Sequence, residues 1–355
     1  MEKKKYWTEE KGLILTIIVL SVIIVALYAY VYYIPSTQGE KKYSVEVIEI
    51  KGDCEECLDV SAIASEVVKD SVLKSKEVLD YNSEEGKTAI EKYGIRSVPA
   101  LVVISKNLDK MSLDKQVFEI KEDYAVFDRS VPYIELSSGE IKGLVNMKEI
   151  SLSGCLECPP MSRIEKQLES FGVKVGNYEI FDSSSAEGAK LINETNTKFL
   201  PALLISKNIE EYWWIFGQIK NALEDKGDYY LFKEPLPPYK DISTGKIKGK
   251  VDITYVENKS CKDCFDVLTL KEAFQGLGVY IDNERHVDIS SVEGKSILDK
   301  YNITAVPTVI LSDDLMDYAD AMKERVSQLG TFEDDDSYIF RKIEALGNVK
   351  FQNLS

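Results

Sequence analysis

The hydrophobic pattern of this 355-residue chain alternates between short β-strands and amphipathic helices. In Val45-Glu-Val-Ile-Glu-Ile50, apolar and polar side chains alternate as is typical of a strand. Apolar side chains then recur on one face from Leu58 to Val72 and predict a helix. A second helix is predicted from Glu84 to Tyr93, and Pro99 opens an apolar run that predicts the next strand. Strands and helices in this order indicate an α/β fold.

One segment has the length and composition of a transmembrane helix. Residues 12–34 carry no charge and are rich in Ile, Leu and Val, and about 20 such residues span a bilayer. Because lysines precede this segment, we predict a cytoplasmic tail (1–11), a transmembrane helix (12–34), a linker (35–43) and extracytoplasmic domains. A cleaved signal peptide and a cytoplasmic location of the domains are the alternatives. The apolar run exceeds the usual signal-peptide core, and no clear small-residue cleavage site follows it.

The rest of the chain repeats one unit three times. Cys155 follows Cys54 by 101 residues, and Cys261 follows Cys155 by 106. After each Cys-x-x-Cys pair come an aspartate, a glycine six residues later, and a proline thirteen residues after that glycine. These landmarks are Asp80, Gly86 and Pro99, then Asp182, Gly188 and Pro201, then Asp288, Gly294 and Pro307. A period of about 100 residues indicates self-sufficient domains rather than a solenoid.

A second signature marks the seams between the repeats. Residues 132–143 and 238–249 share the pattern Pro-Tyr-x-x-x-Ser-x-Gly-x-Ile-Lys-Gly. We therefore predict three domains, at 44–143, 144–249 and 250–355, and refer to them as the first, second and third repeats.

The net charge excludes some classes of binding partner, and the cysteine usage indicates the redox compartment. The net charge of −16 argues against nucleic acid and anionic lipid surfaces as partners. All six cysteines fall into the three pairs, so no thiol is spare, which is typical of an oxidising compartment.

With these features the chain resembles the thioredoxin-like superfamily, in particular tandem, membrane-anchored thiol–disulfide oxidoreductases and protein-disulfide-isomerase-like proteins. The resemblance rests on a Cys-x-x-Cys pair after the first strand and an apolar-Pro dipeptide 45 or 46 residues after the first cysteine. Together with the apolar segment, it predicts a transmembrane helix followed by three tandem thioredoxin-like domains. It also implies that Pro99, Pro201 and Pro307 are cis prolines beside the disulfides, where they position an extended substrate segment.

The cysteine pairs are the candidate catalytic residues. A first cysteine at a helix N-terminus has a lowered thiol pKa, because unpaired N–H groups and the helix dipole favour the thiolate. We expect Cys54, Cys155 and Cys261 to attack, and Cys57, Cys158 and Cys264 to resolve the mixed disulfide. Glu55 and Glu56 oppose a thiolate at Cys54, whereas Lys262 balances Asp263. Cys261 should therefore be the most reactive cysteine and Cys54 the least.

The repeats depart from the better-known members of the superfamily at two places. Asp53, Gly154 and Ser260 stand where a tryptophan often precedes the first cysteine. Six residues before the first cysteine, thioredoxins carry a buried acid that assists proton transfer. This chain has Ile48, Glu149 and Tyr255 there, so the spacing predicts the acid only in the second repeat.

Plainer interpretations exist for each of these residues. The pairs could be static structural disulfides, and a zinc site would need two pairs from separate domains to dock closely. We expect no metal and no cofactor. His286 is expected to be structural. Trp213 and Trp214 are expected to pack in a core or between domains, or to cover a binding cleft. Residues 333–336 are expected to form a solvated loop or to bind a cation. Asn193, Asn258, Asn302 and Asn353 begin Asn-x-Ser/Thr triplets that permit glycosylation of an exported chain.

These features predict membrane-tethered thiol–disulfide exchange on exported proteins. The partners would be protein thiols and disulfides, together with a redox donor or acceptor that the sequence does not identify. The alternative is a non-catalytic thioredoxin-fold scaffold that binds extended peptides and uses its disulfides as staples. The pKa of the first cysteine in each pair discriminates between the two.

Overall fold

The computed structural model describes residues 42–354, which form two compact units. One unit holds the described residues up to Gly52 together with Asp59–Ser130. The other holds Asp53–Leu58 together with the described residues from Val131 onward, and so contains the second and third repeats. The predicted boundaries of the three domains stay predictions.

The predicted cytoplasmic tail and the transmembrane helix at 12–34 lie outside the described residues. Within the described range, no helix combines the length and the apolar character needed to cross a membrane.

The first unit is built on a mixed five-stranded sheet. Its elements are β1 (Tyr43–Lys51), α1 (Ser61–Lys69), β2 (Ser71–Asp80), α2 (Glu84–Tyr93), β3 (Ser97–Val98), β4 (Ala100–Ile104), β5 (Glu119–Ile120) and β6 (Tyr124–Phe127). The strand order is β2-β1-β4-β6-β5. β1 runs parallel to β2 and antiparallel to β4, so the helix α1 makes a crossover connection between parallel neighbours.

The second repeat, with the seam before it, contains β7 (Tyr133–Glu135), β8 (Ile141–Lys142), β9 (Val145–Ser151), α3 (Ser162–Ser170), β10 (Val175–Asp182), α4 (Ala186–Thr195), β11 (Phe199–Leu200), β12 (Ala202–Ser206), α5 (Trp213–Ile219), β13 (Leu223–Asp225), β14 (Tyr229–Phe232), β15 (Tyr239–Asp241) and β16 (Ile247–Lys248). Its main sheet has the order β10-β9-β12-β14-β13, and a small sheet has the order β11-β15-β16.

The third repeat contains β17 (Val251–Glu257), α6 (Leu268–Gly276), β18 (Ile281–Asp288), α7 (Val292–Tyr301), β19 (Ala305–Val306), β20 (Thr308–Leu311), α8 (Asp320–Ser327), β21 (Gly330–Phe332), β22 (Tyr338–Phe340) and β23 (Gln352–Asn353). Its main sheet has the order β18-β17-β20-β22-β21, and β19 pairs with β23. The fold is therefore mixed α/β with three repeated sheets, and this order is consistent with tandem thioredoxin-like domains.

Each repeat buries both faces of its sheet. In the third repeat, Ile253 and Tyr255 of β17 pack with Phe274 of α6 on one face. Val256 of the same strand packs on the other face with Ile297 of α7. Because side chains alternate along a strand, burial of both faces explains why the middle strands β4, β12 and β20 are apolar at nearly every position.

The landmark aspartate and glycine, with the serine three residues after the aspartate, form one turn that starts the second helix of each repeat. In the second repeat, Ser185 Oγ accepts a hydrogen bond from the Gly188 N–H at 2.9 Å and so caps α4. The Ser185 hydroxyl donates to the carbonyl oxygen of Asp182 at 2.7 Å. A Cβ at Gly188 would lie 2.0 Å from that oxygen, so only glycine fits there. A Cβ at Gly86 would lie 2.0 Å from the Asp80 carbonyl oxygen, and one at Gly294 would lie 2.1 Å from the Asp288 carbonyl oxygen.

A buried tyrosine joins each seam to the repeat that follows it. The Tyr212 hydroxyl donates to the Gly143 carbonyl at 2.9 Å and accepts from the Lys174 N–H at 2.9 Å. Tyr318 repeats this pattern, donating to the Gly249 carbonyl at 3.0 Å and accepting from the Tyr280 N–H at 2.8 Å. The seam glycines are therefore held by the core of the next repeat.

The turn predicts opposite effects for two glycine-to-alanine changes in the second repeat. Gly188→Ala should destabilise the protein by about 1–3 kcal/mol, because its Cβ must displace the Asp182 carbonyl. Gly217→Ala is the matched control, since nothing lies within 4 Å of a Cβ at that helical position. It should be neutral or stabilise by about 0.5–1 kcal/mol. Urea unfolding measures both values, and equal shifts would contradict the assigned role of Gly188.

Candidate functional site

All six cysteines form disulfides within their own pairs, Cys54–Cys57, Cys155–Cys158 and Cys261–Cys264. The Cα atoms of the paired residues are 5.3, 5.4 and 5.5 Å apart, and all six side chains are half-buried. Each pair lies in a turn that follows the strand β1, β9 or β17.

The position of these turns corrects the expectation that the first cysteine starts a helix. The helix begins seven residues after the first cysteine in every repeat, at Ser61, Ser162 and Leu268. The effect of a helix dipole falls off within its first turn. The predicted contribution of the helix to the thiolate is therefore smaller than the sequence suggested.

The residues after each pair explain the late helix start. Asp59 Oδ1 accepts a hydrogen bond from the Ser61 N–H at 2.9 Å, and Asp266 Oδ1 accepts one from Leu268 at 3.0 Å. In the second repeat Pro159 follows Cys158 directly, and a residue before proline is disfavoured from helical geometry. The local sequence thus places the helix start beyond the cysteines.

Pro99, Pro201 and Pro307 are buried, and the peptide bond before each of them is cis. In the second repeat, Ala202 after the proline pairs with Ile150 at the end of β9. Thr308 pairs in the same way with Val256 near the end of β17. The antiparallel pairing thus brings the proline and the cysteine turn to the same end of the sheet in these two repeats. In the first repeat, Cys54–Cys57 belongs to the second compact unit and Pro99 to the first.

A polar side chain is buried at one equivalent position on the strand before each pair. The three residues are Glu49, Glu149 and Tyr255, which are 2%, 3% and 0% exposed. Each lies opposite the residue two positions after the proline, namely Leu101, Leu203 and Val309. The register therefore identifies Glu49 as the counterpart of Glu149.

This register corrects the prediction that only the second repeat carries the buried acid. Counting six residues back from Cys54 selects Ile48, but the connection from strand to cysteine is one residue shorter in the first repeat. The dipeptides Glu49-Ile50 and Glu149-Ile150 carry the signal that could have revealed the match.

Each buried polar residue has a partner on the neighbouring parallel strand. Lys76 Nζ lies 2.7 Å from Glu49 Oε1, as an ion pair without a well-aligned hydrogen bond. The Tyr178 hydroxyl donates to Glu149 Oε2 at 2.5 Å. The Tyr255 hydroxyl donates to Glu284 Oε2 at 2.8 Å, so the third repeat reverses the positions of tyrosine and carboxylate. Burial and these hydrogen bonds raise the pKa of Tyr178, and likewise that of Tyr255.

The charged residues between the cysteines differ in their partners. Glu157 Oε1 lies 3.1 Å from Lys250 Nζ, and Lys250 also pairs with Asp282 at 3.0 Å. Hydrogen bonds to Asp282 and then Glu157 raise the pKa of Lys250 to about 12. Asp263 Oδ2 lies 3.1 Å from Lys350 Nζ.

The first pair lacks this compensation. Glu55 and Glu56 are exposed, and neither forms an ion pair with any residue of the described range. Negative charge is therefore least compensated beside Cys54.

A cavity of about 290 Å³ lies beside Pro201. Its lining includes the apolar side chains of Met161, Phe199, Phe232 and Pro235. The lining also includes the charged residues Lys198, Glu224, Lys233 and Glu234, so the cavity is only partly apolar.

The remaining sequence candidates lie elsewhere. His286 stacks on Tyr255 with ring centroids 4.6 Å apart. Trp213 and Trp214 are both exposed, so neither packs in a core as one of the expectations had it. Asp335, in the acidic run, pairs with Lys300 at 2.6 Å. Across residues 42–354, no group of three or more His, Cys, Asp or Glu side chains is arranged to hold a metal ion.

No protein-family model matches the chain, and no curated protein matches it either. Among solved structures, full-length ERdj5 is similar at 11% identity and a TM-score of 0.16, over 78% of this chain and 41% of that one. Human ERp44 is similar at 9% identity and a TM-score of 0.15, over 90% of this chain and 98% of that one. The chain thus spans less than half of the ERdj5 structure. At these identities and TM-scores the similarity establishes neither a shared family nor a shared activity.

The buried carboxylate predicts a large effect for one tyrosine change. Tyr178→Phe removes the donor to Glu149, and an unsatisfied buried carboxylate should cost about 1–3 kcal/mol of stability. Tyr230→Phe is the control, because its hydroxyl donates to the exposed Glu210 at 2.6 Å. Its effect should stay below about 0.5 kcal/mol. Urea unfolding distinguishes the two variants, and an equally mild Tyr178→Phe would argue against a stabilising hydrogen bond between Tyr178 and Glu149.

Proposed function

We propose that the chain is a membrane-tethered thiol–disulfide exchange protein with three tandem thioredoxin-like domains, acting on exported proteins through Cys54/Cys57, Cys155/Cys158 and Cys261/Cys264. One observation carries this proposal: the same strand register recurs in all three sheets. In each, a buried Glu or Tyr on the strand before a Cys-x-x-Cys turn lies opposite the strand that opens with a buried cis proline. A disulfide needed only as a staple requires none of the other parts, and a three-residue closure adds little chain-entropy stabilisation.

The reaction is an exchange of disulfides. The thiolate of a first cysteine attacks a client disulfide, forms a mixed disulfide and releases one client thiolate, which takes up a proton. The second cysteine then loses its proton and attacks the first cysteine, so the client leaves as a dithiol and the pair is oxidised. The same steps in reverse oxidise a client, and the reduction potentials of the partners set the direction.

The buried carboxyl group of the second repeat supports a role in proton transfer. Glu149 lies on the strand that leads into the cysteine turn, and a carboxylate there can accept the proton of the second cysteine. Tyr255 replaces the acid in the third repeat, and its raised pKa keeps it protonated near neutral pH. The third repeat therefore lacks an equivalent base at this position.

The charges beside the pairs predict the order of thiol acidity. In the reduced protein, the alkylation midpoint should be lowest for Cys261 and highest for Cys54, because Glu55 and Glu56 are uncompensated. Lys250→Met should raise the midpoint of Cys155 by roughly half a pH unit, since Glu157 loses its counter-charge. Lys246→Met, at an exposed position of the seam before Lys250, is the control. Mass spectrometry of each alkylated cysteine against pH gives the three midpoints.

Trapping decides between exchange and a structural disulfide. Cys158→Ser and Cys264→Ser should accumulate mixed disulfides with client proteins, because the resolving thiol is gone. If all three first cysteines titrate above about 8.5 and neither variant traps a client, the exchange activity is rejected.

The tether predicts a protease pattern. With residues 12–34 in the membrane and a cytoplasmic N-terminus, protease added to intact cells or spheroplasts should digest residues 44–355. Protection until the cells are lysed would overturn the extracytoplasmic location.

A second function is favoured by a specific observation. The strand before Pro201 is already paired with β15, and the strand before Pro307 with β23. An enzyme must open this paired edge in every turnover, whereas a scaffold must open it only once for each chain that it binds. This alternative predicts that the half-buried disulfides resist reduction. It also predicts that Cys158→Ser and Cys264→Ser trap no client.

A further inference from the structure

The segment before the cis proline is paired with another part of the chain in both the second and the third repeat. Leu200, which precedes Pro201, pairs with Lys240, and Val306, which precedes Pro307, pairs with Gln352. Both ladders are antiparallel. The two repeats thus cover the same edge in the same direction.

The hydrogen bonds at the next rung fix the register. The Ile242 N–H donates to the Lys198 carbonyl at 2.9 Å, and the Leu354 N–H donates to the Thr304 carbonyl at 2.7 Å. Hydrogen-bonded and non-bonded pairs alternate in an antiparallel ladder. Val306 and Gln352 are therefore a hydrogen-bonded pair that uses both backbone groups of Val306.

Residues 349–354, here named the covering segment, also contact the cysteine turn of the third repeat. The Phe265 N–H, next to Cys264, donates to the Lys350 carbonyl at 2.9 Å. Asn258 Nδ2 donates to Gln352 Oε1 at 2.6 Å. Lys350 Nζ lies 3.1 Å from Asp263, which stands between the two cysteines. One short segment thus spans the proline edge and the cysteine turn together.

Several contacts of the covering segment are exposed or only partly buried. The side chains of Lys350 and Asp263 are 74% and 78% exposed, so their attraction is screened. Val349 and Phe351 are only partly buried where they pack on the core, and Leu354 packs on the opposite cluster. In the second repeat, by contrast, the chain continues from β15 into β16, and Lys248 and the Gly249 N–H bind Asp317.

We propose that the covering segment is a built-in ligand of the third repeat, which must leave before an external chain can bind there. The site is the one assigned under the proposed function, on which this inference rests. Its external ligand would be an extended chain. A Lys or Arg of this chain would pair with Asp263, a side-chain amide or carbonyl would accept a hydrogen bond from Asn258, and an apolar residue would stand on either side of the Lys or Arg. Pairing is exclusive, because an incoming strand needs the same N–H and C=O of Val306 that Gln352 uses.

Peptide binding tests the proposal without thiol chemistry. A labelled peptide with the sequence of residues 347–355 contains no cysteine, and it is titrated into the oxidised protein by fluorescence anisotropy. A variant ending at Gly347 should bind the peptide saturably, and the full chain at least tenfold more weakly. In the shortened variant, Asp263→Lys should weaken binding of the unchanged peptide. A peptide that carries Lys350→Glu should bind this Asp263→Lys variant better than the unchanged peptide does. Equal binding to both chains, or no binding to a cooperatively melting shortened variant, would overturn the proposal.

If the shortened chain does not melt cooperatively, a second variant tests whether the covering segment is a built-in ligand. Gln352→Pro in the full chain removes the N–H that pairs with Val306 and keeps Phe351 in place, whereas Gln352→Ala keeps the N–H. Only the proline variant should bind the peptide and show at least tenfold faster hydrogen exchange at the Val306 amide. The Leu200 amide should be unchanged in both. Failure of both readouts in the proline variant rejects the built-in ligand. Peptide binding combined with first-cysteine midpoints above about 8.5 and no trapped client rejects the exchange activity alone.

Discussion

The antiparallel ladder between the strand before each cysteine pair and the strand after each proline is the interaction on which the candidate sites depend. It places Ala202 beside Ile150 and Thr308 beside Val256, which brings the proline and the cysteine turn to one end of the sheet. Because side chains alternate along a strand, the same ladder fixes which face of the sheet each side chain of the strand occupies. A shift of one residue would turn Glu149 to the other face of the sheet.

Much of this could be predicted from the sequence, because it depends on local chemistry and on repetition. The helix from Glu84 to Tyr93 was predicted with its observed bounds, since its serine cap and the glycine after it are local signals. The order of strands and helices and the three-fold repeat also follow from the chain itself.

What could not be predicted depends on contacts between distant residues. The helix after the first pair was predicted from Leu58, but Asp59 delays it to Ser61. The buried Glu49 was missed because a fixed count from the cysteine cannot detect a connection one residue shorter. The covering segment shows no periodic pattern, and its role is visible only through its pairing with β19. The placement of 12–34 remains a prediction from composition.

The three repeats share a backbone plan but differ in electrostatics. The second combines a buried carboxylate with an ion-paired Glu157, and the third combines a buried tyrosine with a paired Asp263. The first has a buried Glu49 but uncompensated acids at the turn. The three cysteine turns therefore differ in local charge although their strands share one register.

The seam between the second and third repeats has a consequence for how the chain can be divided. Its hairpin pairs through the backbone with β11 of the second repeat, yet Gly249 is bound by Tyr318 in the core of the third. A cut on either side of the hairpin removes a strand partner from one repeat or a buried hydrogen-bond acceptor from the other. Repeats of this kind cannot be exchanged or added as independent modules, because each new copy needs a seam that fits both of its neighbours.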